Sequence, residues 1–221
     1  MCDPKSKIQN PRFKSGLTLA ELLVVIAVLS VLGSLVLPVV GNYLAESRGD
    51  VTRQSLARLR EVISQYWQDR VQLTNGVRVN ALPQPNPSVA QTPSRLSYPQ
   101  VAFLFWNPNF TIPNETVDYD PTYRVGWRGP YLACSGATYT INTAANFTEQ
   151  YGENGDPTVL DGWANPIVIQ NPGLAPDGVG QDVRLVSAGP DGVVNTPPGV
   201  LTANLLPGQT GDDVYVSFEL R

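Results

Sequence analysis

Few residues in this 221-residue chain could carry covalent or metal chemistry. There is no His, which excludes a Ser-His-Asp triad, a His general base and the usual zinc ligand sets. Two Cys, at positions 2 and 134, cannot build a metal cluster or a disulfide framework. Carboxylates gather only near the C-terminus, where Asp191 follows Gly189-Pro190 and Asp212-Asp213 follows Gly208-Gln-Thr-Gly. Asp-Gly and Asp-Asp are also ordinary turn chemistry. One more carboxylate stands out by its setting. Glu21 is the sole charge in LTLAELLVVIAVLSVLGSLVLPVV, residues 17–40. A charge in an apolar helix costs roughly 2.5–3.5 kcal/mol at the bilayer centre and less near an end. Glu21 either snorkels to the headgroups or waits for an ammonium group that neutralises it when subunits pack.

The element that positions Glu21 is the apolar run itself. As a helix it extends roughly 36 Å, enough to cross a bilayer core of about 30 Å. All three Lys (Lys5, Lys7, Lys14) and Arg12 precede it, and the first charges after it are Glu46 and Arg48. The positive-inside bias keeps residues 1–16 in the cytoplasm and sends the C-terminal body across the membrane. The run is too long for a signal-peptide core, and no clear A-x-A site follows it. Residues 17–221 hold 11 Arg, no Lys and 18 acidic residues. A body of that sign is a poor phosphate binder, so nucleic acid is not an expected partner.

The string Lys14-Ser-Gly16-Leu17-Thr-Leu-Ala-Glu21-Leu-Leu-Val-Val-Ile-Ala27 resembles the prepilin leader junction of type IV pilins and type II secretion pseudopilins. The resemblance implies cleavage by a prepilin peptidase between Gly16 and Leu17, then N-methylation of Leu17. Glu21 becomes the fifth residue of the mature chain, where the family pairs it with a neighbouring subunit's N-terminal amine. Leu17 stands where Phe is more usual. Gly33 and Pro38 lie inside the run, and a Pro there removes a helix hydrogen bond. By the resemblance they mark a compliant point used when a subunit leaves lipid for a filament.

Residues 43–71 continue the helical period. Leu56, Leu59, Ile63 and Tyr66 form an apolar stripe widened by Val62 and Trp67, which predicts a helix packed on a sheet. Asn75-Gly76 closes that region. Residues 80–121 are Pro-rich and read as a long connection, with Val101–Trp106 forming one buried strand or a short helical turn. Asp182–Ser187 and Val214–Leu220 alternate like strands.

Gly126-Trp-Arg-Gly-Pro-Tyr-Leu132 and Asp161-Gly-Trp-Ala-Asn-Pro166 resemble the paired G-W-x-G-P-Y-L and D-P-W-G-N-P-Y segments of the type II secretion major pseudopilin, with Gly162 and Ala164 replacing Pro and Gly. The residues between them, 135–158, read as a surface excursion. That family also has an S-x-G-P-D-G…D-D loop wrapped around calcium, which implies Asp191, Asp212 and Asp213 as ligands. A hard cation of this kind wants 6–8 oxygens, so backbone carbonyls must complete its shell. Cys134, the one Cys left after processing, reads as a buried small apolar residue.

These readings define an α+β chain. Residues 1–16 are a leader, 17–40 a transmembrane and assembly helix, and 41–75 an amphipathic helix. Residues 76–125 are the connection and 126–221 the C-terminal sheet region with its acidic loop. The resemblance implies a pseudopilin anchored once in the bacterial inner membrane with a periplasmic body. Its partners would be copies of itself, other pseudopilins and the secretion platform, with calcium as the bound ion. A type IV or minor pilin for adhesion, motility or DNA uptake is the alternative. The carboxylates otherwise lie ungrouped and no P-loop is present, so an enzyme is not expected.

Overall fold

The computed structural model describes residues 18–69, 71–72, 78–79, 82, 98–106, 119, 121–122, 126–134, 136–174 and 180–221. The chain divides into two units, Met1–Ala45 and Glu46–Arg221. Helix α1 (Leu19–Gln68) is continuous over 50 residues, Gly33 and Pro38 included.

Up to Ala45, α1 is apolar on all sides and its described large apolar side chains are exposed, from Leu19 at 81% to Val40 at 47%. A helix without a polar face belongs in a protein core or in lipid. Mean hydropathy reaches 2.8 and none of that window is buried, so by length and composition this helix is fit to be a single-pass membrane anchor. Ser30 and Ser34 donate back to the Ile26 and Val31 carbonyls at 2.7 Å, so their hydroxyls present no unpaired donor to an apolar medium.

From Glu46 onward the apolar stripe finds its partner. Leu56, Leu59, Ile63 and Tyr66 are at most 1% exposed, and they pack with Ile167, Ile169, Val183, Leu185, Phe218 and Leu220. Full burial of each such aliphatic side chain contributes roughly 1.5–3 kcal/mol. The facing sheet is an antiparallel meander of β3 (Val168–Leu174), β4 (Gln181–Ser187) and β5 (Val214–Leu220), in the order β3-β4-β5. Ile169 pairs with Leu185 and Leu185 with Val216, which puts these apolar side chains on the helix side. A helix packed on a small antiparallel sheet is the expected α+β architecture.

Two expectations change in detail, and one open alternative is resolved. First, α1 stops at Gln68 instead of running to residue 75. Val71–Gln72 (β1) pairs antiparallel with Arg78–Val79 (β2), while Asn75-Gly76 lies outside the described residues. Second, Val101–Leu104 is the helical turn, in 3-10 form and fully buried, whereas most of the Pro-rich connection lies outside the described residues. Third, the segment read as an excursion is a structural layer. Tyr139, Ala145, Phe147 and Tyr151 form a second core with Val168, Val186, Ala188 and Val194, on the sheet face that points away from α1.

Candidate functional site

At the N-terminal end, Gly16 and Leu17 lie outside the described residues. Glu21 occupies the first turn of α1. Its Oε2 accepts hydrogen bonds from the Thr18 N–H at 2.8 Å and the Thr18 hydroxyl at 2.9 Å. The Glu21 N–H donates in return to Thr18 Oγ1 at 3.3 Å. This is a capping box, and it satisfies amide donors that a helix start leaves without partners. The carboxylate also lies at the positive end of the helix dipole. Thr18 is a residue the sequence reading passed over, although Thr-x-x-Glu before an apolar run announces this motif.

The two Trp segments hold the body together. The Asp69 carbonyl accepts the Gly126 N–H at 2.7 Å, and its carboxylate meets Arg128 at 3.1 Å and the Tyr131 hydroxyl at 2.8 Å. Tyr131 also accepts the Arg128 N–H at 3.2 Å, and its ring meets that of Tyr66 at a centroid distance of 5.3 Å, tilted by 59°. Burial pushes the Tyr66 and Tyr131 phenols well above their usual range. The chain is thereby turned off the helix axis at Asp69, which explains the early end of α1.

In the second segment, Asp161 Oδ1 accepts the Trp163 and Asn165 N–H groups, each at 2.8 Å, and Oδ2 accepts the Ser187 hydroxyl at 2.6 Å. Gly162 donates to Thr52 Oγ1 at 2.9 Å, and a Cβ there would collide with the Arg48 carbonyl. Ala164 has φ 68°, the left-handed conformation that explains why Gly is the expected residue at this place in the motif. The segment is a turn pinned to α1, and its residues do structural work.

The structure brings Asp191, Asp212 and Asp213 into one neighbourhood. The Asp191 N–H donates to Asp212 Oδ2 at 3.0 Å, and a Cβ on Gly189 would collide with the Asp212 carbonyl. Asp191 Oδ1 accepts the Val193 N–H at 2.7 Å. Asp213 Oδ2 accepts the Asn195 N–H at 2.9 Å, and the Thr196 N–H and hydroxyl at 2.6 Å each. Asp213 Oδ1 is buried without a hydrogen-bond partner. Burial, with the Asp212 charge beside it, pushes the Asp213 carboxyl above the usual range despite the bonds from Asn195 and Thr196. Among the described residues no group of three or more His, Cys, Asp or Glu is arranged so that it could hold a metal ion.

The long stretch between these acids is anchored to the second sheet face. Asp182 accepts the Thr202 N–H at 2.7 Å and its hydroxyl at 2.9 Å. Buried Arg184 donates to the Pro197 carbonyl at 2.7 Å and to Gln170 Oε1 at 3.0 Å, while Gln170 donates to the Thr196 carbonyl at 2.9 Å. Buried polar groups of this kind fix one arrangement because each lost partner is costly. Cys134, expected to be buried, is exposed.

Residues 11–37 match the family model described as the prokaryotic N-terminal methylation motif. The match spans the leader junction, Glu21 and all but the last three residues of the apolar run, and it indicates a type IV pilin-like protein. The motif implies a prepilin peptidase substrate and pilus-like assembly, which is the work of a structural subunit. No curated protein and no solved structure matches the chain.

Proposed function

We propose that the protein is a pseudopilin of a type II secretion system, a subunit held in the inner membrane and assembled into a periplasmic filament that drives protein export. The observation that carries this reading is the combination of the methylation motif with a C-terminal loop that gathers Asp191, Asp212 and Asp213. Prepilin peptidase would cut between Gly16 and Leu17 and methylate the new amine. Glu21 would then exchange Thr18 for a neighbour's amine, an ion pair strengthened by the apolar surroundings of packed helices. Other pseudopilins and the secretion platform are the expected partners.

Calcium is part of the proposal. The donor chemistry suits a hard cation, since Asp213 Oδ1 is a buried carboxylate oxygen without a donor and Asp212 is exposed beside it. Asp191 and neighbouring carbonyls would complete the shell. The bound cation would neutralise adjacent acids and stiffen the loop.

Deleting the gene and following two phenotypes tests the reading. Retention of secreted proteins in the periplasm, with surface pili intact, is the expected result. Normal secretion with loss of pili, adhesion or DNA uptake would favour the type IV pilin alternative instead.

A further inference from the structure

We propose that Thr196 is the positioning residue of the acidic loop, holding Asp213 so that one carboxylate oxygen is presented to a cation. The inference deepens the calcium reading and rests on it. The two Asp213 oxygens differ in their surroundings. Oδ2 accepts three hydrogen bonds, from the Asn195 N–H at 2.9 Å and from the Thr196 N–H and hydroxyl at 2.6 Å each. Three donors saturate one oxygen of a carboxylate that offers about four lone-pair sites in all. Oδ1 is buried with no hydrogen-bond partner. A buried carboxylate oxygen without a donor is costly, so a cation gains most there. With Oδ2 committed, Asp213 would bind through Oδ1 alone, one of the two modes that carboxylates use towards calcium.

Thr196 can set that orientation because it is itself fixed from behind. It is 2% exposed, and its carbonyl accepts Gln170 Nε2 at 2.9 Å. The next carbonyl, of Pro197, accepts Arg184 Nη2 at 2.7 Å. Gln170 and Arg184 are register partners on β3 and β4, are fully buried, and meet at 3.0 Å. The peptide that grips Asp213 is thus pinned to the sheet. Asn195 extends the grip to the other end of the loop, since its Nδ2 donates to Asp191 Oδ2 at 3.4 Å. Among the described residues the acids alone form no cage. What the fold supplies is one oxygen whose direction is set before a cation arrives, and preorganisation of that kind lowers the cost of binding. The Thr hydroxyl suits the task, because its bond to a carboxylate is charge-assisted and its branched Cβ restricts χ1.

Calorimetric titration of the full chain in detergent with calcium tests the role. Thr196→Val keeps the shape and removes the hydroxyl. It should weaken calcium binding about tenfold, the cost of ordering one side chain on binding, and Thr196→Ser should restore it. An unchanged calcium affinity in Thr196→Val, whatever its melting temperature in EDTA, would overturn the positioning role while leaving the calcium site intact. A loss that Thr196→Ser fails to restore would overturn it too, because the hydroxyl would not be the cause. Hydrogen exchange supplies a readout that needs no variant. In wild type with EDTA, the Thr196 amide should already exchange at least about a hundredfold slower than an unstructured amide, and free exchange would overturn the preset grip. Wild type that takes up no calcium would refute the cation site and this inference together, while the pseudopilin reading keeps its own test in the gene deletion.

Discussion

Replacing Ala164 with Gly should stabilise this protein, although it removes a methyl group and adds no contact. Ala164 sits at φ 68° and is exposed, so its side chain contributes no packing that the substitution would lose. Holding an L-residue with a Cβ in the left-handed region costs roughly 1–2 kcal/mol. Gly avoids that cost but widens the unfolded ensemble, which offsets about 0.4–1 kcal/mol. The balance is a gain of about 0.5–1 kcal/mol, or about 1–4 °C in melting temperature for a body of this size. The neighbouring position makes the control. Gly162→Ala puts a methyl group against the Arg48 carbonyl, backbone that no rotamer change can move, and should cost about 1–3 kcal/mol. Thermal unfolding of both variants by circular dichroism, in detergent and at one protein concentration, reads the two signs. A lowered melting temperature for Ala164→Gly, or an unchanged one for Gly162→Ala, would refute the backbone argument.

Other predictions follow from the same geometry. Tyr131→Phe removes the hydroxyl that bridges Asp69 and the Arg128 N–H, and denaturant titration should show a loss of about 1–3 kcal/mol. Glu21→Ala should leave leader cleavage intact but abolish filaments, so processed yet unassembled protein is the outcome to look for. Millimolar calcium, but not magnesium, should raise the melting temperature of the chain, and Asp213→Asn should erase that response. Without divalent ions, Asp213 is held above its unfolded value of about 3.9, so the folded state binds its proton more tightly. Its penalty is complete at neutral pH and is relieved as pH falls through the folded value towards the unfolded one. Wild type should therefore gain stability relative to Asp213→Asn on acidification, and the opposite trend would contradict the burial argument.

What the sequence disclosed depended on how local the signal was. The stripe Leu56, Leu59, Ile63 and Tyr66 was readable because helical spacing is a local pattern, and all four residues became core. The strands Gln181–Ser187 and Val214–Leu220 were likewise visible in their alternation. Alternation gives the strand but not what lies over its polar positions, and Asp182 and Arg184 are buried. What covers them is Tyr139–Tyr151 and the loop after Ser187, which no pairwise spacing reveals. The end of α1 was missed for a similar reason. Asp69 is turned off the helix by Gly126, Arg128 and Tyr131, more than 50 residues away in sequence. Glu21 was identified as the lone charge in the apolar run, whereas its partner Thr18 was legible as a capping box and was overlooked. The acidic loop was found by resemblance. Its hydrogen bonds to Asn195 and Thr196 are products of tertiary folding that resemblance does not supply.

Pilin-like assembly begins with cleavage at the leader junction, so the N-terminus of the mature chain is the quantity to measure. Intact-mass and N-terminal peptide spectrometry of protein taken from membranes containing prepilin peptidase should find a chain starting at Leu17 with a methylated amine. A chain that keeps residues 1–16, or is cut elsewhere, would contradict the assignment to pilin-like assembly.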